Sequence, residues 1–314
     1  METRDTNETY GKTLLRLAEK YPELVVLEAD LGKASGSVPF KEKYPERYYN
    51  FGVAEQNMVG FASGMAAVGK IPFASTFASF MSQRALDQVV NSVGYNNENV
   101  KLIGTYAGIT SEKNGGTHIS VLDIAAMRAI PRMLVFDPGD ALEYEKILEF
   151  AAGHEGPVYI RANKGKFPVF HSSDYTFTFN KAEILSSGSD VALITTGLTT
   201  YQGILAVERL KKDGISVLHL HMPTIKPIDK AAIQMAMEKT GWIVTAENHS
   251  VINGLGMAVC AVTSETVPGK VTRLGFQDHF GETATLDYMM HKYGIDSDGM
   301  VEVIRSGIRK KGGQ

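Results

Sequence analysis

Short apolar runs alternate with longer stretches of helical periodicity through the first half of the chain. Residues 24–27, 71–74 and 100–104 are compact apolar runs of strand type, while 51–68 and 77–93 carry apolar side chains at helical spacing. Further on, strands predicted at 133–136 and 158–161 flank a helix predicted at 141–152. This is the rhythm of a parallel sheet with crossover helices, and it predicts one α/β domain over residues 1–168. The period then changes. Tyr175-Thr176-Phe177-Thr178-Phe179 alternates and Ser186-Ser187-Gly188-Ser189 follows, so residues 169–189 read as a linker with an edge strand. A second series places strands at 191–195, 216–220, 242–245 and 271–274, with helices at 200–211, 230–239 and 254–263. It predicts a second α/β domain over 190–314. The fold class is therefore α/β, two consecutive domains, each a mainly parallel sheet flanked by helices.

Bulk properties narrow the function without naming it. A chain of 314 residues exceeds the usual size of one core. Its 32 Lys and Arg against 35 Asp and Glu give a formal net charge of −3, with no broad basic field for nucleic acid or an anionic membrane. The first nine residues are polar where a signal peptide needs an apolar stretch, and no run reaches the roughly 18 apolar residues of a membrane span, so a cytoplasmic location is expected. The single cysteine, Cys260, sits in the apolar run 257–262, as a small buried residue in a reducing compartment does.

Four places offer chemistry. Gly52-Val53-Ala54-Glu55-Gln56-Asn57-Met58 opens a helix on which Val59, Ala62 and Ala66 share a face with Glu55, which directs that carboxylate inward. Spacing alone leaves open a solvated Glu that complements the helix dipole. Phe77 and Phe80, at i and i+3 in Ser75-Thr76-Phe77-Ala78-Ser79-Phe80, form either a flat surface for a ring or plain core. Asn114-Gly115-Gly116-Thr117-His118 precedes a helical stretch to Ala129. Its glycines let backbone approach a ligand, and His118 is able to exchange a proton or hydrogen-bond a substrate oxygen. Arg4, Arg161, Lys164 and Lys166 lie in loops or at strand ends, and Arg161, at the C-terminal end of a strand, stands best placed to grip a phosphate or carboxylate. In the second domain Glu247-Asn248-His249 precedes Gly254-Leu255-Gly256. Without a third glycine at the proper spacing, that pair favours tight helix packing over nucleotide binding. No P-loop, no His/Cys metal spacing and no Gly-Asp-Gly run followed by an Asn ligand occurs.

Read in order, Ala29-Asp30-Leu31, Gly52-Val53-Ala54-Glu55-Gln56, Ser75-Thr76-Phe77, Gly116-Thr117-His118 and Ile130-Pro131 resemble the pyrimidine-binding domain of transketolases and deoxyxylulose-phosphate synthases. Glu247 to Gly256 and Phe280-Gly281-Glu282 to Tyr293-Gly294 resemble the C-terminal domain of the same family, so the likeness covers essentially the whole chain. The resemblance implies thiamine diphosphate shared with a second chain, an N-terminal subunit that carries the diphosphate site and most of the contacts to Mg2+ or Ca2+, and an α2β2 assembly. It implies that Glu55 hydrogen-bonds N1′ of the aminopyrimidine and promotes its imino form, and that Phe80 stacks on that ring with Phe77 beside it. Asp30 and Leu31 match residues near the cofactor and the subunit interface, and Gln83 stands at a cofactor-side position. It also implies that His118 faces substrate and that Arg4 and Arg161 hold the substrate phosphate. The implied reaction transfers a two-carbon ketol unit from a ketose, expected as its phosphate, to an aldose.

Three departures touch the substrate rather than the thiamine chemistry. Tyr106 stands where many transketolases place a phosphate-contacting histidine, Asn114 where an aspartate reads an acceptor hydroxyl, and Gln83 where a tyrosine flanks the cofactor. They point to a modified or unusual sugar. Two alternatives stay open at this stage: the β subunit of a 2-oxoacid dehydrogenase E1 component, which shares the two-domain plan, and a noncatalytic regulatory relative that keeps the fold.

Overall fold

The computed structural model describes residues 2–312. Runs rich in Val, Ile and Leu, bounded by turns, form the buried central strands, as β-branched side chains favour a pleated surface covered on both faces. The first sheet has seven strands in the order Thr224–Lys226, Leu134–Phe136, Val158–Ala162, Lys101–Thr105, Ile71–Phe77, Leu24–Glu28, Tyr48–Asn50. All pairs are parallel except the one made by Thr224–Lys226. The second has five, in the order Lys270–Phe276, Trp242–Ser250, Val191–Thr195, Val217–His221, Glu183–Ser186, and only the last is antiparallel. Asp5 and Asp140 start the helices Thr6–Lys20 and Ala141–Gly153 by accepting two backbone N–H groups each.

Both domains have the expected parallel sheets between helices, and Val191–Thr195 falls on its predicted range. Three local expectations change. Residues 175–179 form no strand: Phe177 and Phe179 dock on Phe150 instead, with ring centroids 5.6 and 4.9 Å away. Alternation there marks two aromatic anchors on an extended chain, and the edge strand of the linker is Glu183–Ser186. The helix predicted at 77–93 breaks into Ala78–Gln83, Leu86–Gln88 and a π-helical stretch Val89–Gly94, with the Ala85 amide reaching five residues back to the Phe80 carbonyl. Thr224–Lys226 from the second half completes the edge of the first sheet. One buried apolar cluster accordingly holds side chains of both halves, from Leu27 and Met58 to Ile225, Ile233 and Val259. Among the described residues no helix is long and apolar enough to cross a membrane.

Candidate active site

The C-terminal ends of the first sheet's parallel strands deliver the site, at the edge where open α/β sheets take ligands. Strand Ile71–Phe77 ends on Phe77 and the next helix begins at Ala78, so Phe77 and Phe80 emerge on one side, centroids 5.4 Å apart. Tyr106, just past strand Lys101–Thr105, stacks on Phe77 at 4.6 Å with 23° between planes. His118 meets both phenylalanines edge-on, at 5.8 and 5.1 Å, and its Nδ1 lies 2.9 Å from the Thr117 hydroxyl. Four rings from three separate segments thus form one wall.

Opposite that wall, helix Glu55–Ala67 begins with Glu55, a residue 4% exposed at the positive end of the helix. Arg84 Nη1 donates to Glu55 Oε1 at 3.0 Å, and the same guanidinium lies 3.7 Å from the centroid of Phe80. The inward reading of Glu55 therefore holds, against the solvated alternative. Phe80, Gln83 and Arg84 line a cleft of about 590 Å³ together with Asn114 to Thr117 and Phe280. Phe280 belongs to the second domain, whose segment closes on the glycine loop. A Cβ on Gly116 would stand 2.5 Å from the Gly281 carbonyl oxygen, so only glycine permits this approach.

The structure gathers Glu55, Phe77, Phe80, Gln83, Asn114 and His118 around this cleft. Asp30 lies at the same sheet edge in a left-handed conformation, held by Asn50, and neither it nor Leu31 lines the cleft. Arg4 is held by Glu2 at 2.7 Å on the short antiparallel pair Thr3–Asp5 with Lys166–Pro168, also away from the cleft. Arg161 corrects an expectation. Its guanidinium is 1% exposed and engaged on every side, by Asp123 Oδ2 at 2.8 Å, Asp137 Oδ2 at 3.1 Å and the Asn248 carbonyl at 2.9 Å. Its strand end faces the seam between the domains rather than the cleft, so this side chain has no free face for a phosphate. Burial pushes the Asp123 carboxyl up, but Arg161, His249 and Tyr159 more than offset it and hold it below the usual range.

Glu28 and Glu247 are among the buried acids to which the sequence assigned no role. Glu28, on the last residue of its strand, accepts from the Ser35 and Ser37 hydroxyls at 2.5 and 2.7 Å; burial raises its carboxyl to about 8 although both serines work against that. Glu247 accepts from the amides of Leu255 and Gly256 at 2.6 and 2.8 Å. The faint phosphate loop of the second domain is thus filled by the chain's own carboxylate, and a Cβ on Gly254 would stand 1.9 Å from it. The signal available was an acid closing an apolar strand run, 24–28 in one case and 242–247 in the other.

A buried carboxylate facing an aromatic ring across a slot already holding a planar N–H donor is a donor set suited to an aminopyrimidine. Thr76 Oγ1 and Ser79 Oγ, buried at the same strand-to-helix corner, have no hydrogen-bond partner among the described residues. Fold and site together define the class: the paired pyrimidine-binding and C-terminal domains of transketolase-type enzymes. The family model described as transketolase, pyrimidine binding domain, matches residues 2–169, and that of the transketolase C-terminal domain matches 180–300; the chain belongs to the transketolase family. Enzymes of this family depend on thiamine diphosphate. The chain is 40% identical over 311 residues to a 6-deoxy-6-sulfo-D-fructose transketolase subunit of Clostridium sp. (strain MSTE9), covering 99% of this chain and 97% of that one. It is 40% identical over 305 residues to a putative transketolase C-terminal section of Methanocaldococcus jannaschii, covering 96% of each. The solved structure of a split gene transketolase, an inactive beta4 tetramer, superposes with a TM-score of 0.88 at 39% identity, covering 97% of this chain and 98% of that chain.

Proposed function

We propose that this chain is the C-terminal subunit of a two-chain, cytoplasmic transketolase, active only with an N-terminal subunit that binds the diphosphate and the Mg2+ or Ca2+ ion. The observation that carries this reading is Glu55, buried at a helix start and joined to the Phe80 ring by one planar group, the Arg84 guanidinium, which contacts both. When bound, thiamine diphosphate supplies the electron sink for a two-carbon ketol unit. Glu55 holds a proton at the pyrimidine nitrogen N1′, where a desolvated carboxylate bonds more strongly than in water. Phe80, backed by Phe77, fixes the plane of the ring, and the stack of Phe77 on Tyr106 stiffens that wall. Asn114, on the cleft, and His118, edge-on to Phe80, read hydroxyls of the sugar, while Gln83 lines the cleft on the cofactor side. Arg161 is left out of this assignment, as is Arg4. Lys164, 5.2 Å from the Tyr106 ring and paired with Glu112 at 3.6 Å, is a cation near this wall that could take their place at a substrate phosphate or other anionic end.

Support for an unusual sugar comes from Asn114 and Gln83 lining the cleft, from Tyr106 stacked on Phe77, and from a relative that acts on a sulfonated ketose. The self-assembly of the related split-gene chain, without activity, supports the need for a second subunit. The test is purification of the tagged chain from its native cells with thiamine diphosphate and magnesium. A stoichiometric second chain, with ketol transfer appearing only in the mixture, is expected. A lipoyl acyltransferase core in the eluate would move the assignment to a 2-oxoacid dehydrogenase, and turnover by this chain alone would end the split-site reading.

A further inference from the structure

The pair formed by Arg84 and Glu55 has a second consequence for the same site. We propose that the Arg84 guanidinium stands in the place of the cofactor's pyrimidine ring and has to swing out before that ring binds. This rests on the pyrimidine site assigned above.

Arg84 uses both partners that the pyrimidine needs. Its planar guanidinium lies at stacking distance, 3.7 Å, over Phe80, and its Nη1 donates to Glu55 at 3.0 Å. The guanidinium gives Glu55 a planar nitrogen partner and gives Phe80 a flat face, the two contacts that N1′ and the ring face of the aminopyrimidine would make. Both cannot do so together, because the guanidinium already covers the Phe80 ring at 3.7 Å and occupies Glu55. Without Arg84, Glu55 would be a buried carboxylate lacking a cation, which is costly. Arg84 is itself half exposed, its side chain at 49%, and it lies within the irregular turn where the Ala85 amide reaches back to the Phe80 carbonyl. The buried partner is fixed and the exposed one is free to leave, which is the arrangement of a displaceable stand-in. Such an occupant reduces apparent affinity by the fraction of time it fills the slot.

The experiment titrates thiamine diphosphate, with magnesium, into the complex of the full chain with its copurified partner and reads the dissociation constant by calorimetry, for wild type, Arg84→Ala and Arg84→Lys. Circular dichroism confirms that each variant is folded. Tighter binding by Arg84→Ala, on the order of tenfold, with Arg84→Lys in between because it keeps the charge but not the plane, is expected. The cofactor-free Arg84→Ala complex should also unfold at a lower temperature than wild type, while the two converge when cofactor is saturating. Unchanged or weaker binding by Arg84→Ala beside normal binding by wild type overturns the proposal and makes Arg84 a positioning residue for Glu55. Failure of wild type and variants alike to bind the cofactor overturns the pyrimidine-site reading and this proposal with it.

Discussion

Glu247 and Glu55 both lie at helix starts, and their surroundings differ in one respect. Glu247 accepts the amides of Leu255 and Gly256 beneath helix Leu255–Glu265, with His249 beside it, and everything around it is buried. Glu55 heads helix Glu55–Ala67 and is held by one arginine that is half in solvent. The two sheets share a parallel design, so both strand edges are potential ligand sites. In the second domain the chain fills its own edge: Glu247 takes the helix amides, and the Asn248 carbonyl and side chain lock onto Arg161 and the Ile109 amide of the first domain. In the first domain the equivalent edge keeps a contact that is exchangeable. A ligand site is marked by an anion or ring whose partner is able to leave, and a structural site by one whose partners cannot.

The largest effect expected from breaking this contrast is on the closed side. Arg161→Met leaves Asp123 and Asp137 buried without their cation, and a loss of about 3–5 kcal/mol in urea unfolding is expected. Arg161→Lys restores part of it, since one ammonium cannot reproduce the fork to two carboxylates and a carbonyl. A stable Arg161→Lys protein whose only defect is a raised KM for sugar phosphate would return Arg161 to the substrate. On the open side the effect falls on turnover instead. Glu55→Gln should lower kcat by about 10²–10⁴-fold, the range of a lost proton-transfer group, while the assembly and the unfolding midpoint stay close to wild type. Unchanged turnover would support a noncatalytic relative.

How far this contrast was legible in the sequence depends on what each residue contacts. The sheet strands were visible because burial on both faces turns them into continuous apolar runs, and 191–195 needed no other information. The burial of Glu55 was visible as well, since helical spacing turns it inward. Arg161 was misread because a strand end in an α/β sheet is a ligand edge only where no other part of the chain covers it. The covering residues, Asp123, Asp137 and Asn248, are 38, 24 and 87 positions away. Residues 175–179 were misread for a related reason: alternation records which side chains are buried, not whether the backbone finds a partner strand. Arg84 was invisible as a participant, because nothing in its own neighbourhood says that Glu55, 29 positions away, lies beside it.

The smallest expected effect sharpens the comparison through pH. Burial pushes the Glu247 carboxyl up, and the amides of Gly256 and Leu255 offset only part of this, which leaves it at about 7. The ordinary value is 4.5, so the folded state favours the protonated acid. Its contribution to stability is then fully present below about pH 4.5, declines as the pH rises, and is lost through about pH 7. Glu247→Gln carries no such proton. The difference in urea midpoint between wild type and Glu247→Gln should therefore move steadily against wild type across that window, with the pH profile of kcat unaffected by the substitution. A constant difference would mean that the two amides outweigh burial and keep Glu247 ionised throughout. The second domain would then hold a true anion at its helix start, and what separates it from Glu55 would be only the freedom of the partner to leave.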